Sequence, residues 1–190
     1  MSKATRFGAK SARHLRMLLV MSMFSALSIV FGKLLAFNIG DTVRISFENL
    51  PILFAGIFLD PLHGMIVGVV ADLLGCFIVG YTINPIITAS AALIGFCAGL
   101  FFRCTKPLPQ AARIFIAAFA AHLLGSILLK TIGLIVFYGS PSVLFLVRTY
   151  YLAIAGIEAA LITTLAKTPV PHALDKLLDR PSEEKGSIKK

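Results

Sequence analysis

Long apolar runs separated only by short turns fill residues 16–166 of this 190-residue chain. Hydrophobic residues make up 57% of it and the mean hydropathy is +0.88. A water-soluble fold of that composition would expose far more apolar surface than water tolerates. A bilayer removes the cost, and a spanning helix takes roughly 20 apolar residues. The sequence therefore predicts an all-α integral membrane protein, multi-pass in the cell membrane, with one helical domain over 16–166. Residues 1–15 and 167–190 are charged tails. No length is left for a separate catalytic domain.

Six apolar segments can be drawn, at about 16–37, 46–59, 63–79, 86–102, 112–138 and 143–166. The first has the length of a span rather than of a signal-peptide core. The second is short and carries Pro51, which predicts a kink or irregular backbone. Turns fall at Asp60-Pro61, at 80–85 and at Gly139-Ser140-Pro141. Six spans put both termini on one side. All but four of the eighteen Lys and Arg residues lie on that side, in the two tails and the 103–113 linker. The asymmetry makes both termini cytoplasmic under the positive-inside rule. It also accounts for the net charge of +9 without a nucleic-acid partner.

Charges inside apolar runs are costly and mark function by default. Asp72 and Lys130 each lie eight residues before an outer turn, and Arg148 lies six after Ser142. At about 1.5 Å per residue, all three sit roughly 9–12 Å below their helix ends. Lys33 is nearer the surface, where it can snorkel or join the same layer. One reading is a pocket that takes a polar, mostly anionic solute from outside. The other is an ion-pair cluster locking helices together, with Asp72 against Lys130. Glu158 is too deep for such a pocket and reads as structural. Phe37, Phe47, Tyr81, Tyr138, Tyr150 and Tyr151 lie near the outer loops, where rings either stack a flat heterocycle or anchor at the interface. Ser22 with Ala26, and Ser28 with Gly32, give the first helix small residues at helical spacing, which suits close helix packing.

Enzyme signatures are missing: no P-loop, no Gly-x-Ser-x-Gly and no His-Glu-x-x-His occur. Neither a cofactor nor a metal is expected. Cys76, Cys97 and Cys104 have no zinc spacing and read as reduced packing residues. His122 reads as a hydrogen-bonded helix residue. Without a nucleotide-binding element, energy for active transport must come from another protein. A passive channel or carrier, or a membrane scaffold, remains the competing class.

The run Arg44-Ile45-Ser46-Phe47-Glu48-Asn49-Leu50-Pro51-Ile52, then Ala55-Gly56, Pro61, Gly64, Gly68 and Ala71-Asp72-Leu73-Leu74-Gly75, resembles the substrate-binding S components of energy-coupling factor (ECF) vitamin transporters. Ala26-Leu27-Ser28-Ile29-Val30 and Gly32-Lys33 also resemble the folate-specific branch, and the pantothenate-type branch shares much of the pattern. The resemblance covers roughly residues 16–104. It departs from the family at Asp60-Pro61, where Gly-Pro is usual. It implies a six-helix subunit that captures a vitamin, folate for this branch, outside the cell. The implied partners are a transmembrane coupling protein and two cytoplasmic ATPases. The family's docking motif on the first helix falls on Ser22 and Ala26. Folate fits the charges: its glutamate tail is a dianion for Arg44, Arg148 or Lys130, by bidentate hydrogen bonds where arginine serves. Asp72 can accept from the pterin N–H groups, and Asn38 and Asn49 can read its other edges. Lys33, Phe47, Tyr81 and Tyr151 complete the expected binding set.

Overall fold

The computed structural model of the chain describes residues 3–39, 43–140 and 144–178, with side chains from 12–37, 45–140 and 144–178. It is helical apart from one short hairpin. The first helix, α1 (Lys3–Ile29), runs on through a π-helical turn, Val30–Leu34. Strands β1 (Phe37–Ile39) and β2 (Val43–Ile45) pair antiparallel, with Asn38 opposite Arg44. Helices α2 (Asn49–Phe58), α3 (Pro61–Val79) and α4 (Pro85–Cys104) follow. A long rod combines α5 (Gln110–Ala121), a π-helical stretch His122–Leu129 and α6 (Lys130–Tyr138). The chain then forms α7 (Leu144–Val147), a 3-10 turn Arg148–Tyr150, α8 (Tyr151–Ala166) and α9 (Val170–Leu177).

Among the described residues, five helical stretches are long and apolar enough to cross a membrane: Ala12–Leu34, Pro61–Val79, Pro85–Cys104, Gln110–Tyr138 and Leu144–Ala166. The segment expected at 46–59 folds into only the ten residues of α2. That is about 15 Å of helix, half of a ~30 Å hydrocarbon core. Pro51 does not kink it. The proline is the third residue of α2, in the first turn, where backbone N–H groups lack helical partners anyway. The chain is covered where it enters α2: Ser46, before the helix, is 2% exposed, and Asn49, its first residue, is 3% exposed. Non-helical backbone is tolerated at membrane depth when protein surrounds it in this way.

Helix α2 packs against α1, α3, α4, α5 and α8. Leu53 and Ala55 are wholly buried. Glycines bring α2, α3 and α4 together backbone to backbone. A Cβ at Gly64 would lie 2.5 Å from the Gly56 Cα, and one at Gly95 would strike the Gly64 carbonyl. In lipid, where apolar burial gives helices no preference for each other, such close contact is a main source of cohesion.

Capping residues set the turns. Asp60 accepts from the Leu62 N–H at 3.2 Å, with Pro61 at the first helical position. The same carboxylate pairs with Arg103 at 3.0 Å, which ties the start of α3 to the end of α4. Asn84 caps α4 and donates to the Gly133 carbonyl at 3.0 Å, fastening the 80–84 turn to α6. Helices α1 and α9 meet at the opposite end of the bundle. There, Arg16 donates to the Leu177 carbonyl at 3.1 Å, and Leu174 and Leu178 of the α9 strap are buried. Cys76 and Cys97 are buried free thiols, and Cys104 is an exposed one.

The glycine contacts give a direct test. Gly95→Ala should cost about 3 kcal/mol, because the new methyl meets rigid backbone. Gly156→Ala should leave stability unchanged, since the nearest atom to its Cβ site is 3.8 Å away. Thermal unfolding of the detergent-solubilised protein compares the two.

Candidate functional site

Near the hairpin, the helices part around a cleft. Its walls are Ser28, Ile29, Gly32 and Lys33 from α1 and its π turn, and Ala71 and Asp72 from α3. Glu48, Asn49 and Ile52 come from the start of α2, Ser90, Ala91 and Ile94 from α4, and Lys130 from the first turn of α6. About 390 Å³ lies between these walls, counted out to the mouth. The cleft is narrow, and its inner space holds only about two water molecules.

Lys33, Asp72 and Lys130 line this one cleft. Their pairing differs from expectation. Lys130 does not pair with Asp72; its Nζ donates to Glu48 Oε1 at 2.6 Å, and both side chains are about one-fifth exposed. The reason is local. Ser28 Oγ donates to the Glu48 carbonyl at 2.6 Å, which fixes the start of α2 against α1. A Cβ at Gly32 would come within 2.8 Å of Glu48 Oε2, so glycine lets the Glu48 arm cross the helix. Asp72 instead accepts from Thr88 Oγ1 at 2.6 Å. Among the described residues, neither Asp72 nor Lys33 belongs to an ion pair. The Lys33 stem lies on Gly75, and its ammonium sits 5.1 Å from the centre of the Tyr81 ring. That is a cation–π contact at the cleft's edge.

Arg148 does not line the cleft. It is 8% exposed and donates to the Ser126 carbonyl at 3.1 Å. Ser126 Oγ in turn accepts from Asn49 at 3.4 Å, so one residue separates Arg148 from the cleft wall. The guanidinium lies 4.7 Å from the centre of the Tyr151 ring, which stacks on Tyr150 at 4.5 Å. Its Nε has no hydrogen-bond partner, and no carboxylate pairs with it among the described residues. Phe47 and Tyr151 belong to an apolar cluster with Ile127 and Ile154. Asn38 and Arg44 face each other across the hairpin, but their side chains lie outside those described.

Glu158 is fully buried and pairs with His122 Nε2 at 2.6 Å, joining α8 to the rod. This matches the structural reading of both residues. The small residues of α1 split between two faces. Ser28 and Gly32 turn inward onto Glu48, whereas Ser22 and Ala26 are exposed on the outer face.

Sequence reasoning missed Glu48, Thr88 and Ser126. Glu48 had a signal, because it is an acid at the lip of an apolar segment. Thr88 and Ser126 gave none, since Ser and Thr are ordinary in membrane helices.

The chain is thus a multi-pass helical membrane protein with a charged cleft near one end of its bundle. The family model described as "ECF transporter, substrate-specific component" matches residues 16–174, and the chain belongs to that family. Two solved structures share the fold. One, titled "Crystal structure of FolT bound with folic acid", matches with a TM-score of 0.64 at 24% identity, covering 78% of this chain and 90% of that one. Another, "Structure and mechanism of the S component of a bacterial ECF transporter", matches with a TM-score of 0.62 at 21% identity, covering 88% and 99%. A search of the curated proteins returns no match.

Removing one partner of a buried pair strands the other. His122→Leu should therefore cost about 3–5 kcal/mol, and the double variant His122→Leu/Glu158→Leu should recover most of it. Melting curves of the three proteins check this.

Proposed function

We propose that this chain is the folate-capturing subunit of an ATP-driven vitamin importer. The observation carrying the reading is the gathering of Lys33, Asp72 and Lys130 in one cleft near the hairpin. A carboxylate already accepting one hydrogen bond, from Thr88, keeps acceptor capacity for ring N–H donors of a pterin. Lys33 and Lys130 offer charge to its carboxylates, and Arg148 offers a buried guanidinium one residue beyond. The solved structure with folic acid bound supports the choice of vitamin.

In this reading the hairpin and α2 together make the second of six passes, both termini are cytoplasmic, and the cleft opens outward. Below the cleft, α2, α3 and α4 touch through backbone, which argues against a continuous pore between them. The exposed Ser22 and Ala26 face is where the coupling protein docks, and two cytoplasmic ATPases supply the energy. The narrowness of the cleft favours a second reading, a smaller carboxylate such as pantothenate. For folate to enter, the long side chain of Lys33 must swing aside.

Mass spectrometry of small molecules retained through purification separates the two vitamins. In a binding titration, Asp72→Asn and Arg148→Ala should each weaken folate by more than about tenfold, the scale of a charge-assisted hydrogen bond. Ala26→Phe should leave that affinity intact while lowering ATP-driven uptake in cells.

A further inference from the structure

Two acids and two cations line the cleft, so it is balanced rather than positive: Glu48 and Asp72 against Lys33 and Lys130. The balance is uneven in space. Glu48 takes Lys130 at 2.6 Å, while Lys33 and Asp72 have no ionic partner among the described residues. A ligand carboxylate that reaches Lys130 therefore meets a carboxylate already in place.

Glu48 is held there by construction. Its carbonyl is anchored by Ser28, and its side chain crosses α1 only because residue 32 is glycine. In the chain it lies between the hairpin and α2.

We propose that Glu48 is a specificity-determining residue, an internal carboxylate that competes with the ligand's own for Lys130. By holding Lys130, it leaves Lys33 as the more available cation and sets how many negative charges the cleft rewards. The inference rests on the folate reading and assigns that site's charge selectivity. With Glu48 in place, a second carboxylate on the ligand gains little; with Glu48 neutralised, it gains Lys130.

The test compares folic acid, with two carboxylates on its tail, and pteroic acid, with one. Both are titrated against the purified full-length protein, wild type and Glu48→Gln. Glu48→Gln should tighten folic acid by about fivefold, the upper end for a partly open ion pair, and change pteroic acid less. Adding Lys130→Gln to Glu48→Gln should abolish the gain. Glu48→Asp, which keeps the charge but shortens its reach to Lys130, should shift affinity the same way and serves if Glu48→Gln does not fold. Weaker binding of both ligands by Glu48→Gln would overturn the proposal, because Glu48 would then contact the ring itself. Equal affinities would overturn it too. If wild type binds folic acid and the variants do not tighten it, the inference alone fails. If wild type binds neither compound, the folate reading fails and takes this inference with it.

Discussion

Backbone contact among α2, α3 and α4 is the constraint from which the rest of this structure follows. Lipid tails are as apolar as leucine, so burying leucine gives helices little reason to associate. Glycines at 56, 64 and 95 remove the side chains that would hold these helices apart. The contact lets a helix of ten residues sit at the centre of the bundle. Because α2 is short, its first turn begins inside the protein, and Glu48 and Asn49 are delivered to the cleft. A full-length second helix would have carried both residues up towards the surface.

Access separates the two ion pairs within the bundle. His122 and Glu158 are wholly enclosed and joined by a single contact, Nε2 to Oε2 at 2.6 Å, which suits a fixed joint between the rod and α8; His122 Nδ1 and Glu158 Oε1 have no hydrogen-bond partner among the described residues. Glu48 and Lys130 are paired but partly open, so solvent or a solute can reach them. Asp72 keeps only a threonine hydroxyl, and Arg148 only a carbonyl and a ring face. An incompletely satisfied charge in a low-dielectric setting is expensive, and a bound partner of opposite character lowers that cost.

Much of this was legible in the sequence. Hydropathy alone located the long helices, because a span must satisfy its backbone internally and needs a fixed length. Depth counting brought Asp72, Lys130 and Lys33 to one layer, since helical rise is nearly constant. Counting fails where the helix is not an α-helix or where rotation matters more than height. Arg148 shares the layer but turns behind Ser126, and no hydropathy pattern fixes that angle. The pairing of Lys130 with Glu48 was hidden because α2 starts later than its apolar run does. The hairpin was hidden as well, since three-residue strands carry too short a pattern to detect. The Asp60-Pro61 departure from the family's usual Gly-Pro has a simple origin in the cap on α3 and the bridge to Arg103.

Two stretches of π-helix flank the cleft. In one, the Leu35 N–H reaches back five residues to the Val30 carbonyl at 3.1 Å; in the other, the Lys130 N–H reaches Gly125. Such wide turns are rarer than α-turns and gather at functional positions. Each resets the angular phase of everything beyond it, as one residue advances an α-helix by about 100°. Lysine 33 and lysine 130 therefore owe their bearing to the local winding of the backbone as much as to their place in the chain. Rewinding either stretch as ordinary α-helix would swivel its ammonium group toward a neighbouring helix or the acyl chains, with no substitution made.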